Sequence, residues 1–398
     1  MRISVKQIRS IVLLIFIALM CRVMYLLPES IAGFNVNDVS IALFSIYFFM
    51  VYVKYRRRYK YQFMPIIIGF IFIIGIASIQ GHNNWGQSIF YSFTPQRAFL
   101  LILLSYFPLH KYIMRKKIKL EYFFELLVYF GILQSCLYLL QHFIYPHIVF
   151  INCQMNTRFG LRIYVDSVVI EFMIMYCFSQ ILTGFHKKRN VVAIILGLMH
   201  EILVSQGRLE CCAVLIALIV GFVLWKKMGY KKIMGISIIL FVVVIAINSN
   251  FLSFIVGIQD SGLIRETGRA LYLKQLFSNL RQLLLGCGYP NSYAASIASG
   301  STKYIYLVDN GIFAFFYVYG LLGLGVVITW VVFLLKKSIY IYIKTENVFP
   351  IIFVLFNIIL GYNIIFWWWK PEWTFISVIF MCYLEKEVLK IRKSAEII

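Results

Sequence analysis

The sequence predicts an all-α fold, a polytopic transmembrane bundle of about twelve helical spans with one large extracytoplasmic loop. Three observations predict it. Hydrophobic residues make up 62% of the 398 positions and charged residues only 14%, where a soluble domain averages about half and a quarter. Apolar runs of about 17–25 residues recur from end to end, each long enough to cross a hydrocarbon core about 30 Å thick as a helix. The runs are continuously apolar and do not alternate, which argues against a membrane β-barrel.

In order, the spans fall near 10–27, 37–53, 63–79, 93–109, 121–145, 166–185, 191–205, 209–225, 233–256, 308–335, 349–365 and 373–385. Residues 1–256 thus form spans one to nine, 257–307 the large loop, and 308–398 spans ten to twelve with a tail. The first run follows MRISVKQIRS without a small-residue cleavage site and reads as a retained signal-anchor. The stretch 308–335 is long for one crossing; it reads as a short helix on Asp309–Tyr319, a break at Gly320, then the crossing. The final span, 373–385, is short.

The net charge of +22 would suit nucleic acid, but the basic residues sit in short clusters between apolar runs, the usual mark of cytoplasmic loops. Nucleic acid is therefore not expected as a partner. Of 38 Lys and Arg, 27 lie on one side: the N-terminus, 54–60, 111–119, 187–189, 226–232, 336–344 and the tail. The other side holds ten, and Arg22 lies within the first span. The bias places both termini in the cytoplasm.

Seven of those ten outside cations are Arg: Arg97, Arg158, Arg162, Arg208, Arg265, Arg269 and Arg281. A guanidinium is a planar fork suited to phosphate oxygens. Pairing with carboxylates, such as Arg208 with Glu210 or Arg265 with Glu266, is the plainer use. Among the eight cysteines no metal-ligand spacing occurs, and no acidic cluster marks the outside loops, so no metal is expected. Cys153 and Cys287 fall in outside loops and could pair, although two free thiols fit better.

An outside loop of about fifty residues is uncommon unless it carries function. Its RETGRALYLKQLFSNLRQLLLG segment reads as an amphipathic interfacial helix, with Leu273, Leu276, Leu280 and Leu283–Leu285 as the apolar face. Arg265 and Arg269, four apart, share a face and could converge on one anion. GCGYPNSYAASIASGS follows, in which Gly286 and Gly288 permit tight turns and close approach of a ligand. The loop ends in LVDNG, where Asp309 either caps the next helix or offers a carboxylate at the membrane surface.

TRFGLR at 157–162, VSQGRLE at 204–210, GRALYLKQ at 268–275, LLGCGY at 284–289 and VDNGIFAFFYVYGLLGLG at 308–325 together resemble the O-antigen polymerase and O-antigen ligase superfamily. These are Wzy-like and WaaL-like membrane glycosyltransferases, and the likeness covers roughly residues 150–335. Ligase-type members carry His before the Asn where this chain has Asp309, and the large loop holds no histidine; that departure favours a polymerase. The resemblance implies glycosyl transfer at the outer membrane face from a polyprenyl-diphosphate-linked oligosaccharide, building an O-antigen-like or capsule-like polysaccharide. It also implies the flippase and chain-length regulator of the same pathway as partners, membrane lipid as surroundings, and no cofactor.

On that reading Arg208 and Arg269 hold the diphosphate and stabilise its developing charge, with Arg158, Arg162 and Arg265 as helpers. Asp309 is the candidate base for the acceptor hydroxyl. Gly286, Gly288, Asn310, Tyr272 and Tyr289 line the substrate site. A ligase would share the donor site and differ in acceptor. A lipid-linked oligosaccharide flippase is the competing class, kept in view by Glu171, Glu201 and Arg22 within apolar spans.

Overall fold

A computed structural model describes residues 4–54, 60–157, 161–225, 259–290, 307, 310–362 and 365–396, and only the backbone of 208, 259–265 and 366–367. The expected span 233–256 and most of the Gly/Ser-rich segment lie outside these residues. In chain order the main helices are α1 (Val5–Met20), α2 (Val36–Lys54), α3 (Met64–Trp85), α4 (Arg97–Leu104), α5 (Tyr106–Met114), α6 (Leu120–Ile144) and α7 (Val168–Thr183). They continue with α8 (Lys187–Met199), α9 (Arg208–Leu224), α10 (Gln259–Phe277), α11 (Leu280–Leu285), α12 (Gly311–Thr345), α13 (Phe349–Leu360) and α14 (Pro371–Ala395). Among the described residues the strands are two short antiparallel hairpins, β1–β2 (Ser30–Ile31, Phe34–Asn35) and β3–β4 (Met155–Asn156, Arg162–Ile163).

Among the described residues four helices, α2, α3, α6 and α12, are long and apolar enough to cross a membrane, and α7, α9 and α13 are shorter apolar helices. Large apolar side chains such as Phe49, Phe72, Leu133, Ile195 and Ile328 stand on outward faces. A soluble fold would hide such a surface; a lipid-facing one exposes it. Two helices form the interior. Every residue from Val168 to Ser179 in α7, and from Glu372 to Cys382 in α14, is buried, as a helix apolar on all sides requires.

Glycines admit the neighbours of α7. A Cβ at Gly131 of α6 would lie 2.9 Å from Met173 Sδ, one at Gly197 of α8 2.6 Å from Ile174 Cγ1, and one at Gly221 of α9 2.6 Å from Phe178 Cε1. With no hydrophobic drive between helices in lipid, such close backbone approach supplies the packing energy.

Several elements differ from the sequence expectation. The first span ends early: α1 stops at Met20, and Arg22, Val23, Met24 and Tyr25 turn left-handed with φ of 49°, 47°, 61° and 60°, a conformation costly for L-residues. The fourth span is not one helix; short turns at Ile89–Phe93 and Thr94–Gln96 precede α4, and Ser105 separates α4 from α5. Pro95 and Pro108 cannot donate to a helical ladder. The short final span is a 25-residue helix that continues into the basic tail.

The amphipathic helix is two pieces, with Asn279 capping α11 through a bond from Arg281 N. Its leucine face is only partly the packed one: Leu276 is buried but Leu280 is exposed, because Gly268, Tyr272 and Leu276 form the face turned to α12. Within α12 the backbone breaks at Gly320 (φ 65°, ψ −165°), as the excess length of that span implies. The N-cap is Asn310.

Candidate functional site

One end of the bundle gathers the motif segments into two neighbouring groups. Hydrogen bonds tie its loops together: Ile312 N donates to Gly361 O at 2.8 Å, Asn84 Nδ2 to Cys287 O at 3.0 Å, and Asn152 N to Tyr25 O at 2.8 Å.

The first group lies where α10 meets the start of α12. Tyr272 lies over Tyr317 with ring centroids 4.6 Å apart, and its hydroxyl sits beside Asn310. Tyr317 donates to Gln275 Oε1 at 2.9 Å. A Cβ on Gly268 would come 3.4 Å from Asn310 Nδ2, an ordinary contact distance that places the Asn amide against this turn of α10. Between these, the Arg269 guanidinium lies 4.9 Å from the Phe313 centroid and 4.7 Å from that of Tyr362, and donates to the Tyr362 hydroxyl at 3.3 Å. Flat aromatic faces suit a planar cation and fix its fork.

The GCG segment locks onto the break in α12. Cys287 N donates to Tyr317 O at 2.8 Å and Gly288 N to Val318 O at 3.1 Å. These carbonyls are available because the break at Gly320 ends the preceding helical ladder. Gly286 and Gly288 both have φ of +80°. A Cβ at Gly286 would fall 2.2 Å from Val318 O, and one at Gly288 2.1 Å from Gly81 N. The close approach these glycines permit in this structure is to backbone of α12 and α3. Tyr289 packs against Trp368 and Trp369 at about 6 Å, and Gln87 Nε2 donates to its carbonyl at 2.6 Å.

The second group joins TRFGLR to VSQGRLE. After α8 the chain makes a π-helical turn, His200–Ser205, and Gln206 adopts φ of 50°. Gln206 Nε2 then donates to Leu161 O at 3.1 Å. Arg162 lies 4.5 Å from the centre of Tyr164 and acts electrostatically on Glu210. Glu210 accepts from Ser205 Oγ at 3.1 Å and packs so tightly on Gly207 that a Cβ there would meet it at 1.7 Å. Asp166 accepts from Tyr25 and pairs with Lys370. Burial opposes the Lys370 charge, but Asp166, Glu372 and Glu210 outweigh it, so its pKa is raised and it stays protonated.

Behind this pair the fold assembles an acidic cluster that sequence spacing does not reveal. Glu171 of α7, Glu201 of the π-helical turn and Glu210 of α9 bring carboxylate oxygens within 4.8 Å of one another. Among the described residues these three are the group that could hold a metal ion.

Of the residues singled out in the sequence, Arg269, Tyr272 and Asn310 are together, with Gly286, Gly288 and Tyr289 on the adjoining segment. Arg162 belongs to the second group. Arg208 opens α9 and Arg265 lies one turn before Arg269 in α10; their side chains, like all of Arg158 and Asp309, are outside the described residues. The eight cysteines carry no disulfide, and Arg97 has the plain role of pairing with Asp38 at 2.5 Å. Sequence reasoning missed Tyr362 and the Asp166–Lys370 pair. Tyr362 and Lys370 flank the aromatic FWWW turn, so one short segment touches Arg269 at one end and Asp166 at the other. The signal available was Lys370 itself, a cation on the side where the positive-inside bias disfavours it.

No protein-family model matches the chain, and no curated protein matches it either.

Proposed function

We propose that this chain is a membrane glycosyltransferase that polymerises a surface polysaccharide, taking repeats from a polyprenyl-diphosphate-linked oligosaccharide at the outer face of the cytoplasmic membrane. The observation that carries the reading is the Arg269 clamp. The guanidinium lies against both Phe313 and Tyr362, whose rings meet edge to face at 80°, beside Tyr272 and Asn310 at the start of α12. Preorganised guanidinium donors stabilise charge that builds on a departing diphosphate more than they stabilise the intact donor. In this reading the chain has about twelve spans, both termini face the cytoplasm, residues 257–307 face outward, and Arg208 shares the diphosphate with Arg269. Asp309, one residue before the N-cap Asn310, takes the acceptor proton. The flippase reading draws on the buried carboxylates. Glu171 and Glu210, however, sit in the first turns of α7 and α9, whereas transporters bind at discontinuous helices near the bilayer midplane.

Deleting the gene and resolving the surface glycan on a gel tests the proposal. Collapse of the ladder to a single repeat supports polymerase. Intact long chains without attachment indicate a ligase, and loss of all outward lipid-linked repeats indicates a flippase.

A further inference from the structure

We propose that Glu171, Glu201 and Glu210 form a binding site for a divalent, calcium-sized cation that staples α7, the π-helical turn and α9 together. The three carboxylates come from three separate elements, and one oxygen of each lies within 4.8 Å of the other two. Three atoms so spaced share a centre no farther than about 2.8 Å from each, which is 4.8 Å divided by √3. Calcium binds oxygen at about 2.3–2.6 Å, whereas magnesium demands about 2.0–2.1 Å. Either distance fits inside that limit, and the ligand set decides: calcium accepts several carboxylates in flexible geometry, whereas magnesium usually takes one or two and keeps several waters.

A second observation points to a ligand. Glu171 is fully buried, and neither of its oxygens has a hydrogen-bond partner among the described residues. Its side chain is aimed at the other two carboxylates. A buried carboxylate without a partner is costly, and like charges at this distance repel. Among the described residues neither nearby cation pairs with Glu171: Lys370 pairs with Asp166, and Arg162 acts on Glu210 at the edge of the cluster. A divalent ion would offset the three charges to within one, and Arg162 would balance the remainder. Water would complete the six to eight oxygens that calcium takes. The elements so fixed carry the Ser205–Gly207 turn, and with it the position of Arg208 at the head of α9. The site does not depend on the glycosyl-transfer reading, and its test does not measure activity.

The test uses the full-length protein in lipid nanodiscs, stripped with chelator and dialysed against radioactive calcium. One saturable ion per chain is expected, with magnesium competing at least tenfold more weakly. Glu171→Gln and, separately, Glu201→Gln should weaken calcium binding at least tenfold, and Glu29→Gln, at an exposed position, should leave it unchanged. Glu171→Asp, which keeps the charge and guards against a folding failure, should bind calcium more weakly than wild type but more tightly than Glu171→Gln. Absence of saturable calcium binding to the wild type overturns the proposal, and so does unchanged binding in a folded Glu171→Gln protein. A wild type that binds no ion and is stabilised by Glu171→Gln would mean that protons alone hold the cluster.

Discussion

Replacing Arg269 by Lys separates a structural guanidinium from a working one. In the fold the contacts of this side chain include two aromatic ones, at 4.9 Å and 4.7 Å, and a hydrogen bond of 3.3 Å to Tyr362. A cation–π contact is worth about 0.5–1 kcal/mol when exposed and about 2 when desolvated. The half-buried Arg269 falls between, and its hydrogen bond adds about 0.5–1.5 kcal/mol. Lys keeps the charge and part of the ring contact but loses the planar fork. The structural loss is therefore about 1–2 kcal/mol, which leaves a folded protein. Loss of a preorganised donor to a developing oxyanion costs about 10²–10³-fold in rate. Phe313→Leu is the companion variant, because it removes one aromatic face and spares the fork; about threefold loss is expected. The assay is single-turnover transfer by purified protein in nanodiscs with a lipid-linked donor, with thermal unfolding measured alongside. Less than tenfold loss in Arg269→Lys, or equal losses in both variants, refutes diphosphate binding by this fork.

Three further outcomes follow from the same structure. Asp309→Asn should lower polymer formation by about 10²–10⁴-fold with donor binding retained, since Asn keeps the shape but cannot take a proton; activity within threefold of wild type, read in the same assay, removes Asp309 as the base. Gly288→Ala places a methyl 2.1 Å from Gly81 N at a φ of +80°, which combines backbone strain with overpacking for about 2–5 kcal/mol; a thermal midpoint equal to wild type would show that the GCG segment does not dock there. A probe cysteine placed within 54–60 should resist an impermeant reagent in intact cells while one within 257–290 reacts, and the reverse pattern would invert the orientation.

The helical, lipid-facing character of the chain was legible because hydropathy is a sum over many residues. The break at Gly320 was legible from length alone, since the run containing it exceeds one crossing. What sequence could not show is which distant residues meet. Glu171 and Glu201 read as isolated carboxylates in apolar runs, and only the antiparallel return of α8 along α7 brings them together. The partners of Arg269 lie on α12 and beyond α13, so Tyr362 had no local signal. Gly286 and Gly288 were read as room for a ligand, yet the same lack of a side chain serves contact with the broken helix. The left-handed turn at Arg22–Tyr25 has no glycine to announce it; tertiary bonds from Tyr25 to Asp166 and from Asn152 to the Tyr25 carbonyl accompany it.

The most direct test of the central claim supplies the purified full-length protein with a synthetic polyprenyl-diphosphate-linked oligosaccharide and resolves the products by mass spectrometry. The account predicts a ladder of lipid-linked chains differing by one repeat, with one free polyprenyl diphosphate released for each bond formed. Donor recovered intact, or moved across the bilayer with no new glycosidic bond, would contradict it.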